Sequence, residues 1–268
     1  IVRGWNLRPG GMHDSPDVCQ RLVNRLPRDE RLILSFKFTH TDFWRYQQWN
    51  PSSLVCGDRP ILYELECQRE FEGKGAVINY QPPLWHDGMP ESSDRPKGLY
   101  DYASQVNLAG LWAWVRGGGW GGPFVTNEMW IDANVTAVPI LADNPQTPLH
   151  DLAEHWITQR LGCEDPQVVQ RLKQILLDSP QAVLEGFYIG PAAMAKHDPW
   201  YPCGNFIQDD VIDAEAGWRL IQALPEDDLD EAIREKHQAV QRVVEARHSV
   251  ARVTGMMPRK LAEHIDQS

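Results

Sequence analysis

The chain has 268 residues, 42% of them hydrophobic and 24% charged, with a formal net charge of -11 and a mean hydropathy of -0.45. With 11 Trp, 7 Tyr and 7 Phe it holds apolar material for one large or two modest domains, which excludes a disordered chain. No clustered basic run offers a nucleic-acid footprint, no apolar stretch is long enough to span a membrane, and 5 cysteines without a C-x-x-C pair argue against a disulfide framework or zinc knot.

The chain opens on Ile1-Val2 with no Met, which reads as a truncated start and leaves the compartment undetermined. Ile1 to Trp5 is the first predicted buried strand. Ser15-Pro16 then opens a helix to Leu26, with Val18, Leu22, Val23 and Leu26 as its apolar stripe. Three further buried-type strands are predicted over Arg31 to Phe38, Ile61 to Cys67 and Leu108 to Val115. Long or helical connections between such runs predict parallel pairing rather than hairpins. The loops Thr39 to Pro60 and Arg116 to Asn127 are long and aromatic, the kind of post-strand segment on which barrels carry chemistry.

From about Pro148 the apolar period becomes helical. One helix places Leu149, Leu152, Trp156 and Ile157 on one face, and a second starts at Asp165-Pro166 with Val168, Leu172 and Ile175. A last one runs from about Asp228 to Thr254 with Leu229, Ile233, Val240, Val243, Val244 and Val250 expected inward. Residues 1–145 and 146–268 therefore read as an α/β part and an all-helical part that pack together.

The polar residues concentrate at the predicted strand ends. Arg3 lies on the first strand, Lys37 at the end of the second with Asp42 five residues on, and Glu64 and Glu66 on the third. Residues i and i+2 of a strand share a face, so Glu64 and Glu66 point the same way. Carboxylates inside an apolar run destabilise the fold unless they are paired or working. Paired carboxylates are what glycoside hydrolysis needs, one to protonate the leaving oxygen and one to activate water or attack. Trp44, Trp49 and Trp120 lie in loops, where contact with a sugar ring and packing weigh equally; Trp112 and Trp114 lie inside a strand and are expected to pack in the core. Arg3 or Arg69 could equally serve as structural partners of Glu64 or Glu66. His40 and Asp42, with His13-Asp14 or His86-Asp87, are a weak metal-ligand pattern matching no zinc spacing. The glycine-rich run from Trp114 to Pro123 lacks the G-K-[ST] ending of a phosphate loop.

These residues resemble the family 67 α-glucuronidases of the glycoside hydrolases, up to roughly residue 205. The likeness rests on Arg3 after Ile1-Val2, Lys37 five residues before Asp42, Glu64 followed by Glu70 and Gly73, the run GLWAWVRGGGWGG leading to Trp130-Ile131-Asp132-Ala133-Asn134, Trp156-Ile157, and Gly190-Pro191 before Pro199-Trp200. Glu66 departs from it, since the family usually has Gln there. The resemblance implies the C-terminal half of a (β/α)8 TIM barrel followed by a helical region, and inverting cleavage of a uronic acid residue from an oligosaccharide. Asp42 and Glu64 would activate water, Arg3 and Lys37 would hold the sugar carboxylate, and Glu66, Trp44 and Trp120 would line the substrate. No cofactor and no metal are implied, and the general acid would come from a strand preceding Ile1, so the 268 residues alone are expected to be inactive. A homodimer through the helical region is a further expectation. Two alternatives stand beside this reading: a metal-dependent hydrolase using His40 and Asp42, and a carbohydrate-binding protein without catalysis.

Overall fold

Four parallel strands form the centre of the structure, a computed structural model that describes residues 1–5, 10–73, 75, 77–92, 97–116, 128–196, 207–208, 211–212 and 214–266. In chain order the elements are β1 (Val2–Arg3), α1 (Pro16–Val23), β2 (Leu34–Lys37), β3 (Pro60–Glu66), α2 (Pro82–His86), α3 (Leu99–Tyr102), β4 (Asn107–Trp114), α4 (Met129–Asp143), α5 (Leu149–His155), α6 (Pro166–Phe187), α7 (Gly190–Lys196), β5 (Ile207–Gln208), β6 (Val211–Ile212), α8 (Ala214–Gln222), α9 (Glu226–Val253) and α10 (Arg259–Asp266). The four predicted apolar runs supply the strands, which pair in parallel as expected and run β1-β2-β3-β4 in sequence order. A long α-helix joins only one pair of these strands, α1 between β1 and β2. The β2–β3 connection instead contains a 3₁₀ turn, Pro51–Val55, and the β3–β4 connection contains the short α2 and α3. The protein is thus a mixed α/β fold with a four-stranded parallel sheet.

Strand alternation sorts the sheet into two chemically different faces. Leu34, Phe36, Ile61, Tyr63 and Leu65 are fully buried on one face, in a core shared with Trp49, Tyr102 and Leu141. The register aligns Arg3 with Ser35, Lys37 with Glu64, Glu64 with Trp112 and Glu66 with Trp114, so the other face carries nearly all the polar groups. A parallel sheet usually buries both faces in apolar residues. A polar face with its charges at the C-terminal strand ends therefore singles out that end of the sheet.

The helical predictions hold in position but not always in facing. Ser15 and Pro16 start α1 as expected, yet the helix buries Cys19 and Val23 and leaves Leu22 41% exposed. Asp165 caps α6, accepting from the backbone N–H groups of Gln167 and Val168 at 2.9 and 3.2 Å, a cap worth about 1 kcal/mol. On α9 the expected inward residues Ile233, Val240, Val243 and Val244 are exposed, and Ala232 and Ala239 are buried instead. The helix seats small residues against α6 and pins the contact with charge: Arg242 grips Glu185 through Nε at 2.8 Å and Nη2 at 3.1 Å. The region after residue 146 is not all-helical, because Ile207–Gln208 and Val211–Ile212 pair as an antiparallel ribbon. These β-branched residues lack a helical apolar period.

A buried ionic knot ties the loops beyond β2 and β3 to α6 and its C-terminus. Arg69 donates to Glu72 through Nε at 3.1 Å and Nη2 at 2.7 Å, while Asn79 and the Tyr188 hydroxyl donate to the same carboxylate at 2.6 and 2.9 Å. Arg45 donates both to Glu91, at 2.7 and 2.9 Å, and to the carbonyl of Pro180 at 3.2 Å. Burial alone would push Glu72 up, but the Arg69 guanidinium, with help from Arg45 and Asn79, holds it below the usual carboxylate range. Gly73 turns the chain there at φ +84°, where a Cβ would also meet the Phe187 ring at 3.2 Å.

Candidate active site

At the C-terminal end of the sheet, the four residues expected to divide into two bases and two carboxylate holders join as two ion pairs. Glu64 is fully buried and saturated with donors. It accepts from Arg3 Nε at 2.9 Å and Nη2 at 2.8 Å, from Ser35 Oγ at 2.9 Å and from Trp114 Nε1 at 3.0 Å. Register explains this convergence: Arg3 and Ser35 are strand partners, and Ser35 lies on the same face as Glu64 one strand away. The bidentate guanidinium and two neutral donors compensate a charge that would otherwise be strongly disfavoured in a buried position.

The second pair is Lys37 with Asp42. Lys37 Nζ donates to Asp42 Oδ1, which also accepts from the backbone N–H of Phe43 at 2.8 Å. The ammonium lies 3.9 Å from the Trp5 ring centroid and 4.4 Å from that of Phe43, two cation–π contacts in a nearly dry setting. Trp114 joins the pairs, with Arg3 Cζ 5.1 Å and Lys37 Nζ 6.0 Å from its ring. Exposure divides the four unequally: the Arg3 and Asp42 side chains are 35% and 23% open, against 6% for Lys37 and none for Glu64. Only Arg3 and Asp42 offer appreciable surface to a ligand.

Glu66, expected to contact substrate, is wholly buried, and neither of its oxygens has a hydrogen-bond partner among the described residues. Arg69 Nη1 lies 3.7 Å from it. Burial, reinforced by Glu70 and opposed by Arg69 and Lys37, pushes its carboxyl well above the usual range. His13 closes the other side. It is fully buried, donates from Nε2 to the carbonyl of Thr41 at 2.8 Å and packs edge-on against Trp5. Burial lowers its pKa to about 4, against the opposing hydrogen bond to Thr41, so it is neutral at neutral pH and holds the Asp42 loop.

Other candidates are placed differently from expectation. Trp44 is 3% exposed and stacks on Phe71 at 3.9 Å, and Trp49 is 2% exposed in the core beside Tyr63, so both loop tryptophans pack. The loop folds back on the sheet through the Thr39–Trp49 bridge, which turns them inward. Trp112, expected in the core, is 41% exposed on the polar face and donates to Ser35 Oγ at 3.3 Å. Its spacing from Trp114 was a legible signal, since both stand in register with the two glutamates. Trp120 lies outside the described residues. His40 donates from Nε2 to the carbonyl of Asp14 at 2.7 Å, and Asp14 caps the backbone N–H groups of Gly10 and Gly11. Among the described residues no three His, Cys, Asp or Glu side chains converge as a metal site. A cavity of 530 Å³ opens past the end of β4, lined by Val115, Met129, Asp132, Arg160 and Lys260 among others, and none of Arg3, Lys37, Asp42 or Glu64 borders it.

Compared with known proteins, the chain matches no family model and no curated protein.

Proposed function

We propose that this chain carries the water-activating and carboxylate-binding side of a glycoside hydrolase site on half of a (β/α)8 barrel, acting by inversion on a uronic acid residue of an oligosaccharide. One observation carries the reading: the polar face of a parallel sheet gathers Asp42, Glu64, Arg3 and Lys37 at its C-terminal end beside two tryptophans, one of them half exposed. Asp42 is the better base of the two acids. Its Oδ2 makes no hydrogen bond to a described residue, and its side chain is open enough to hold a water. Glu64, saturated by its donors, fixes Arg3. Arg3 spends Nε and Nη2 on Glu64 and keeps Nη1 for the sugar carboxylate, while Trp112 offers an apolar ring face.

Inversion needs a general acid roughly 6.5–9.5 Å across the sugar from the base. Asp42 and Glu64 both stand on the base side, and four strands are fewer than a barrel needs to close. The reading therefore takes the closing strands and the acid from outside these 268 residues. The exposed stripe of Ile233, Val240 and Val244 on α9 supports a second copy as partner of the helical region. The two ion pairs also favour a second reading, a sugar-binding site without catalysis, because they neutralise both acids.

Glucuronic acid and glucose, each titrated against the chain while the indole signals of Trp112 and Trp114 are followed, test the substrate class. A saturable response to the uronate that Arg3→Ala abolishes is the expected result. An equal response to both sugars, or a uronate preference that survives Arg3→Ala, removes the uronate reading.

A further inference from the structure

Among the described residues, the carboxyl groups at this end of the sheet outnumber the cations paired with them. Lys37 is committed to Asp42, and Arg3 to Glu64. Arg69 gives Nε and Nη2 to Glu72, leaving Glu66 a single contact at 3.7 Å, longer than a hydrogen bond. The groups that act on Glu66 are Arg69 and Glu70 from its own segment, Lys37 from β2 and Asp42 from the loop beyond it. Trp114 faces it from β4. The residue has no surface exposed to bulk solvent. An ionised carboxylate there would have neither a full counter-charge nor a donor, a combination that buried acids avoid by keeping their proton.

We infer that Glu66 is an uncharged carboxylic acid at neutral pH and acts as a positioning residue, leaving the Lys37 ammonium undivided for Asp42. Were it charged, it would compete for Lys37 and draw it from Asp42, which would then lose its ion-pair partner. The three acids thus differ by environment: Asp42 and Glu64 each hold a hydrogen-bonded cation, and Glu66 has only the longer Arg69 contact. The positioning role rests on the glycosidase reading; the protonation does not.

The chain labelled with ¹³C at its glutamate side-chain carboxyls, followed by NMR against pH, separates the two. At pH 7 one glutamate signal should remain at the protonated position, vanish in Glu66→Gln and persist in Glu70→Gln. Raising the pH until that signal titrates should also shift the indole signal of Trp5, which faces Lys37, and Glu66→Gln should remove this shift. Absence of any protonated glutamate at pH 7, or its persistence in Glu66→Gln, overturns the inference. Titration of Glu66 with no response from Trp5 overturns the positioning role alone. The sugar titration reads neither quantity, so failure of the uronate reading is distinguishable from failure here.

Discussion

The protein builds two clusters from the same residue types and uses them in opposite ways. In the knot between the post-strand loops and α6, Arg45, Arg69, Glu72 and Tyr188 are all 2% exposed or less, and apart from Arg69 Nη1 their side-chain polar groups are hydrogen-bonded, Arg45 and Tyr188 to distant segments. At the end of the sheet, Arg3 and Asp42 stay partly open, Glu66 has no donor, and aromatic rings stand where further hydrogen-bond partners could have been. The first arrangement fixes the helical region on the α/β part. The second leaves charge available at one surface. Completeness of pairing, more than the presence of charge, separates a structural network from a candidate site, since removing one partner from a buried pair is far more destabilising than the pair is stabilising.

The contrast is open to test, and the largest effect falls on the knot. Glu72→Ala leaves Arg69 buried without its partner and should lower stability by about 3–5 kcal/mol in chemical denaturation. A loss near that of a surface ion pair, under about 1 kcal/mol, would place the knot in the same class as exposed pairs. Next comes His13, which joins the site to the fold. Its folded-state pKa lies below its unfolded value, so its contribution is complete above about pH 6.5 and is lost as pH falls toward 4. The displacement corresponds to about 3 kcal/mol, and it should appear as a decline in thermal midpoint over that interval that His13→Gln flattens. An unchanged slope in the variant means that other groups set the acid limit. The smallest effect is at the open end of the sheet. Trp112→Ala should change stability by less than about 0.5 kcal/mol, because the ring is 41% exposed, while weakening the response to glucuronic acid. A large stability loss would make Trp112 part of the core after all.

The α/β part was legible because its signals are local. Runs such as RLILSFKF and ILYELEC read as buried strands, and the lengths between them argue against hairpins, which predicts four parallel strands. The polar candidates were legible for the same reason: a charge interrupting an apolar strand is conspicuous, and strand alternation put Glu64 and Glu66 on one face. The facing of the helices was harder to read. An apolar period identified α9, but the side that meets α6 is chosen by close contact of Ala239 with Gly186 and by the Arg242–Glu185 pair, neither of which an apolar period registers.

By itself, then, the sequence determined the four strands of the sheet, the main helices and which charged residues end at the same edge of the sheet, because these follow from spacing along the chain. Only the tertiary structure decided the partners. Arg3 closing on Glu64, Lys37 on Asp42 and Arg69 on Glu72 are choices among several cations and acids within reach. They are settled by strand register and by how the loops fold back, and that long-range geometry leaves Glu66 with only the long Arg69 contact and turns Trp44 inward while Trp112 stays open. Burial and pairing depend on all the neighbours at once, and no spacing along one segment encodes them.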